Sequence, residues 1–128
     1  MLQLRLSLAS PLWIALGRIA CLAACVLTLV SAFAPARDAP HLLPWDKAEH
    51  FLAFYALAIL GAAAFPRWNA LWIAAPLLAL GGLIEIVQAL PIVGRDSDIH
   101  DWYADTIGVV FALAPLLLAR WREFRRRL

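Results

Sequence analysis

The stretch Glu85–Gly108, EIVQALPIVGRDSDIHDWYADTIG, leaves one hydrophobic segment, crosses a polar loop and enters a second hydrophobic segment. An acid and an amide, Glu85 and Gln88, sit inside the first segment, and Asp101 and Asp105 sit in the second. Pro91 stops the first helix, and the loop of residues 92–100 carries Gly94-Arg95. Two apolar segments joined by so short a loop read as a transmembrane hairpin. Most of the groups able to do chemistry lie in it.

Outward from this hairpin the chain stays oily. Its 128 residues form one domain, 1–128, with 64% apolar and 16% charged residues. Mean hydropathy is +0.79, and average globular proteins are only about half apolar. Folded in water, such runs would have no polar face. The expected class is therefore all-α, an integral membrane bundle of four transmembrane helices, with the lipid bilayer as its first partner. The spans fall at about residues 12–34, 48–65, 70–90 and 101–119.

The first span starts near Pro11, and Arg18 is expected to snorkel toward the near headgroups. Arg5, the apolar run and Ala32-Phe33-Ala34 resemble a secretory signal, and Leu22-Ala23-Ala24-Cys25 resembles a lipoprotein box. Pro35 argues against cleavage at the first, and the apolar residues beyond Cys25 argue against the second, so retention is expected. Cys21 and Cys25, four apart on one helix, are poorly aimed for a disulfide and read as packing residues. The connector of residues 34–44 holds three prolines with Arg37, Asp38 and His41. Asp46 then reads as an N-cap, with Glu49 completing a capping box. Pro76 reads as a kink in the third span.

Orientation follows from the Lys and Arg distribution. With both termini in the cytoplasm, Arg5, Arg18, Arg67 and five C-terminal arginines lie inside, against Arg37, Lys47 and Arg95 outside. That count of eight to three puts every acid except Glu123, and all three histidines, in the outer half. The C-terminal arginines are expected to grip anionic lipid. They offer too little for nucleic-acid binding.

Helical spacing collects the polar groups further. Asp46 and His50 share a stripe with Ala53, Phe54, Leu57 and Gly61, while Gly81, Glu85 and Gln88 share another. Asp101, Asp105, Gly108 and Ala112 make a third. Each stripe is polar at its outer end and mostly small deeper in, the pattern of helix-packing faces. At ~1.5 Å per residue, Glu85 lies roughly 8 Å below Leu90 and Asp105 roughly 6 Å below Asp101. His50, Glu85, Gln88 and Asp105 are thus expected to form an outward-opening polar pocket, with Arg95 folding over it from the loop.

At these residues the chain resembles the VanZ-like family of small bacterial membrane proteins. The resemblance is carried by Asp46-Lys47-x-x-His50-Phe51-x-x-Phe54, Glu85-x-x-Gln88, Gly94-Arg95, and Asp101 with Asp105-Thr106-x-Gly108, and covers about three-quarters of the chain. It implies a multi-pass protein of the bacterial cytoplasmic membrane in the cell envelope. The family takes its name from a protein of glycopeptide-resistance clusters that lowers susceptibility to teicoplanin, and it implies no particular reaction. The matching positions Asp46, Lys47, His50, Glu85, Gln88, Arg95, Asp101 and Asp105 are the expected ligand-binding residues. Asp105 stands where the family often has Asn, and Asp98 where a small hydroxyl residue is common. These extra acids make the outer mouth more negative, a setting that raises acid pKa values or recruits a cation.

Three functions fit these residues. The leading one is capture of an amphiphile's head, such as a lipid-linked wall precursor or a lipophilic glycopeptide, with Arg95 on its anionic group and His50 paired with Glu85 beneath. The second is an enzyme in which Glu85 and His50 act as acid and base on a lipid. The third is an accessory subunit in which Glu85, Gln88 and His50 only bond across helices, and Asp101 only caps the fourth helix. His50, Glu85, Asp101 and Asp105 could also ligate a metal, but one well-placed histidine and no cysteine cluster lead to an expectation of none. Ser97 with His100 lacks an orienting scaffold for nucleophilic catalysis, and no cofactor motif is present.

Overall fold

The computed structural model describes residues 10–35 and 43–126. It is all-helical, with α1 Pro11–Phe33, α2 Asp46–Ala64, α3 Ala70–Gln88 and α4 Ile99–Arg125. Each helix is long and apolar enough to cross a membrane, with mean hydropathy in its most apolar window between 1.2 and 2.1. The shortest, of 19 residues, spans roughly 28 Å, close to the hydrocarbon thickness of a bilayer. Arg5, Arg37, Asp38, His41 and Arg127 lie outside the described residues.

Helix starts follow local chemistry, with two differences from expectation. Ser10 Oγ accepts from the Trp13 N–H, and Asn69 Oδ1 from the Leu71 N–H, capping α1 and α3. Asp46 is not the cap of α2; Trp45 is, and it makes no side-chain cap bond. Glu49 instead accepts from the Leu43 N–H at 2.6 Å, reaching past the helix start to the residue three before it. At α4 the cap is Asp98, which accepts from the His100 N–H at 2.9 Å. Asp101 therefore lies one turn inside the helix and is buried.

The ends also shift. α3 stops at Gln88, before Pro91, and α4 continues to Arg125, because arginine is a good helix former and no breaker follows Ala119. Pro76 lies inside α3 and Pro115 inside α4.

α2 is the centre of the bundle, with its most extensive contact against α4, and α4 packs in turn on α3. α1 attaches mainly to α2 and has no fully buried residue. The core consists of Phe54, Leu57 and Ala58 with Ile73, Leu77, Ile84, Val109 and Leu113. Gly108 sets the α2–α4 distance: a Cβ there would collide with the Phe51 carbonyl oxygen. The three small-and-polar stripes face inward except at the exposed Asp46, since Gly61, Gly81, Glu85, Gln88, Asp101, Asp105 and Gly108 are buried.

The outside is the inverse of a water-soluble protein. Leu22, Leu27, Ile59, Trp72, Ile86 and Phe111 are among the large apolar side chains left exposed, while Glu85, Gln88, Asp101 and Asp105 are buried. A belt of this extent suits hydrocarbon and would aggregate in water. At the end opposite Asp98, Arg18 Nε donates to the Ala64 carbonyl at 3.3 Å, and its guanidinium lies 5.5 Å from the Phe65 ring centre. Cys21 and Cys25 are free thiols.

Candidate functional site

The polar residues gather at one end of the bundle, where α1 and α3 finish and α2 and α4 begin. Lys47 Nζ, on the first turn of α2, reaches across to α4. It lies 2.8 Å from Asp98 Oδ2 and 3.0 Å from Asp101 Oδ1. Asp98 caps α4 from the loop just outside the span. The Lys47 ammonium, followed by the backbone and side chain of His100, holds its carboxyl well below the usual carboxylate range.

One turn deeper, His50 Nδ1 lies 3.0 Å from Asp105 Oδ1, whose side chain is 1% exposed. His50 Nε2 faces Asp101 Oδ2 at 3.7 Å. The other oxygen of Asp105, Oδ2, is buried without a hydrogen-bond partner. It points at Gly81, where a Cβ would stand only 2.8 Å away. A glycine on α3 thus makes room for a carboxylate on α4.

Glu85 has a different neighbourhood from the one expected. Its Oε2 accepts from Ser97 Oγ and from the Asp98 N–H, each at 3.0 Å. Among the described residues no hydrogen bond or ion pair joins Glu85 to His50, so the acid–base pair of those two side chains is not formed. Glu85 ties the loop to the end of α3, and His50 belongs to the α2–α4 seam. The reason is the packing order: α2 makes its widest contact with α4, not α3.

Two side chains close the end of α1. Gln88 Nε2 donates to the Ala32 carbonyl at 2.8 Å, and Arg95 Nη1 to the Ala34 carbonyl at 3.4 Å. The last carbonyls of a helix have no partner within it, and leaving them bare in hydrocarbon is costly. Gly94, with φ of 63°, supplies the left-handed turn just before Arg95.

Between α1 and α2 lies a cavity of about 90 Å³, lined by Thr28 and Ser31 of α1, by Asp46, Glu49 and His50 of α2, and by Arg95 of the loop. Ala53, Phe54 and Ile84 form its apolar floor. Of the expected site residues, Asp46, His50 and Arg95 line this cavity, while Lys47, Asp101 and Asp105 stand behind His50. Glu85 and Gln88 hold the surrounding loop and helix ends. Thr28 and Ser31 went unrecognised in the sequence; their signal is a pair of hydroxyls three apart in an otherwise apolar span.

Ligand atoms of Asp46, His50 and Asp101 lie within 4.8 Å of one another, the spacing of residues able to share a cation. Glu85 and Asp105 are not in that group. No family model, no curated protein and no solved structure matches the chain.

Proposed function

We propose that this is a VanZ-like membrane protein of the bacterial cell envelope whose cavity between α1 and α2 captures the anionic head of an amphiphile. Both termini lie in the cytoplasm, and the Lys47–Asp98 end faces outward. The C-terminal arginines rest on anionic lipid at the inner surface. The head is that of a lipid-linked wall precursor or a lipophilic glycopeptide, which links the protein to teicoplanin susceptibility.

The observation that carries this reading is the cavity itself, with Arg95 in its wall and α1 alongside. A guanidinium offers a fork of donors to phosphate or carboxylate. Among the described residues Arg95 makes one hydrogen bond, a long one to the Ala34 carbonyl. α1, which has no fully buried residue, is the helix most easily displaced to admit an acyl or prenyl chain sideways from the bilayer. Phe54, Ala53 and Ile84 give such a chain an apolar lining below the polar rim.

The test is Arg95→Ala in the full chain reconstituted in nanodiscs, with a polyprenyl phosphate and a lipophilic glycopeptide as probes. A hydrogen bond to a charged group contributes about 1.5–3 kcal/mol, so binding should weaken roughly 10- to 100-fold. Insertion should match wild type, and the unfolding temperature should fall only slightly, through loss of the one long bond to the Ala34 carbonyl. Unchanged affinity for both probes would overturn the assignment.

A further inference from the structure

We propose that Asp46, His50 and Asp101 form a binding site for a divalent transition-metal ion of the zinc class at the outer end of the α2–α4 seam. The site does not depend on the amphiphile, and it is tested with the metal alone.

The first observation is convergence. Asp46 and His50 are one turn apart on α2, Asp101 opposes them from α4, and one ligand atom from each falls within 4.8 Å of the other two. An ion about 2.0–2.2 Å from its nitrogen and oxygen ligands holds those ligands roughly 3–4 Å apart. Small side-chain rotations therefore bring the three atoms onto one ion.

The second is the relation of His50 Nε2 to Asp101 Oδ2. Asp101 is 5% exposed, and its Oδ1 is taken by Lys47 at 3.0 Å. Among the described residues its Oδ2 accepts no hydrogen bond, and it faces His50 Nε2 at 3.7 Å. That is beyond hydrogen-bond range. In the neutral tautomer that donates Nδ1–H to Asp105 Oδ1, Nε2 carries a lone pair directed toward Asp101. A cation held between these two atoms would satisfy both at once.

The third is Asp105. A buried carboxylate on the far nitrogen of a ligating histidine fixes its tautomer and ring orientation and raises its basicity. Asp105 Oδ1 occupies that place at 3.0 Å from Nδ1. The cavity lined by Asp46 and His50 adjoins the site and has room for several waters to complete the coordination shell. An imidazole among the ligands favours zinc-like ions over magnesium or calcium, which prefer oxygen alone.

Zn²⁺ titrated into the chelator-stripped full chain in detergent should bind one ion per chain and raise the thermal unfolding temperature, with no comparable rise for Mg²⁺. Asp46→Asn and His50→Gln should each weaken Zn²⁺ binding at least tenfold, and Asp96→Asn, a loop acid outside the triad, should leave it unchanged. Because Asp46 is exposed, Asp46→Asn should unfold at the wild-type temperature when zinc is absent, which separates loss of a ligand from loss of the fold. The proposal falls if wild type binds no zinc, if Mg²⁺ acts equally, or if both triad variants bind like wild type.

Discussion

Glu85 divides its carboxylate between two surroundings: Oε2 accepts from Ser97 Oγ and the Asp98 N–H, while Oε1 is buried without a partner. This makes the residue an anchor for the α3–α4 loop, and through Asp98 it bears on the cap of α4 and on Lys47. Truncation would leave the Asp98 N–H and Ser97 hydroxyl without their acceptor. Glu85→Ala should therefore lower stability in detergent by about 1–3 kcal/mol, as read from chemical or thermal unfolding. Glu85→Gln keeps a side-chain acceptor and should lose less than half as much. A Glu85→Ala protein as stable as wild type would show that the loop is held by other contacts. The sequence marked Glu85 as unusual because an acid in an apolar run needs a partner. It could not show whether that partner was His50, 35 positions earlier, or Ser97, 12 positions later, since both fall within reach once helices pack.

At the scale of elements, the α2–α4 contact is the one on which the site depends. It places Lys47 and His50 opposite Asp98, Asp101 and Asp105, and Gly108 permits it by leaving space for the Phe51 carbonyl. Gly108→Ala should push the helices apart and cost about 1–3 kcal/mol, the usual range for overpacking. Gly82 is a control on α3: a Cβ there would meet nothing closer than 3.6 Å, so Gly82→Ala should change the unfolding temperature little. Equal effects of the two substitutions would mean that Gly108 does not set the spacing. The glycine and acid stripes were legible as faces because helical periodicity depends only on neighbours three and four apart. Which face met which was not, because several pairings bury the same residues.

For the whole molecule, the start of α1, the 66–69 turn and the end of α4 lie at one end of the bundle, and the 92–98 loop lies at the other. In a background lacking Cys21 and Cys25, Asp96→Cys should react with a membrane-impermeant maleimide on intact cells, and Asn69→Cys only after permeabilisation. The reverse pattern would invert the proposed orientation and place the cavity in the cytoplasm.

Composition and periodicity alone determined that the chain is a four-helix membrane bundle with inward polar stripes collected at one end. Those properties follow from the thickness of hydrocarbon and the pitch of a helix, which act on contiguous residues. Only tertiary structure decided the partners: that α2 lies against α4, that Gln88 and Arg95 serve the last carbonyls of α1, and that Glu85 holds a loop instead of meeting His50. Those choices depend on the close fit of residues far apart in the chain, such as Gly108 under Phe51 and Gly81 beside Asp105. The stretch from Glu85 to Gly108 therefore read by itself as a membrane hairpin, but its chemistry became readable only once α2 was seated against it.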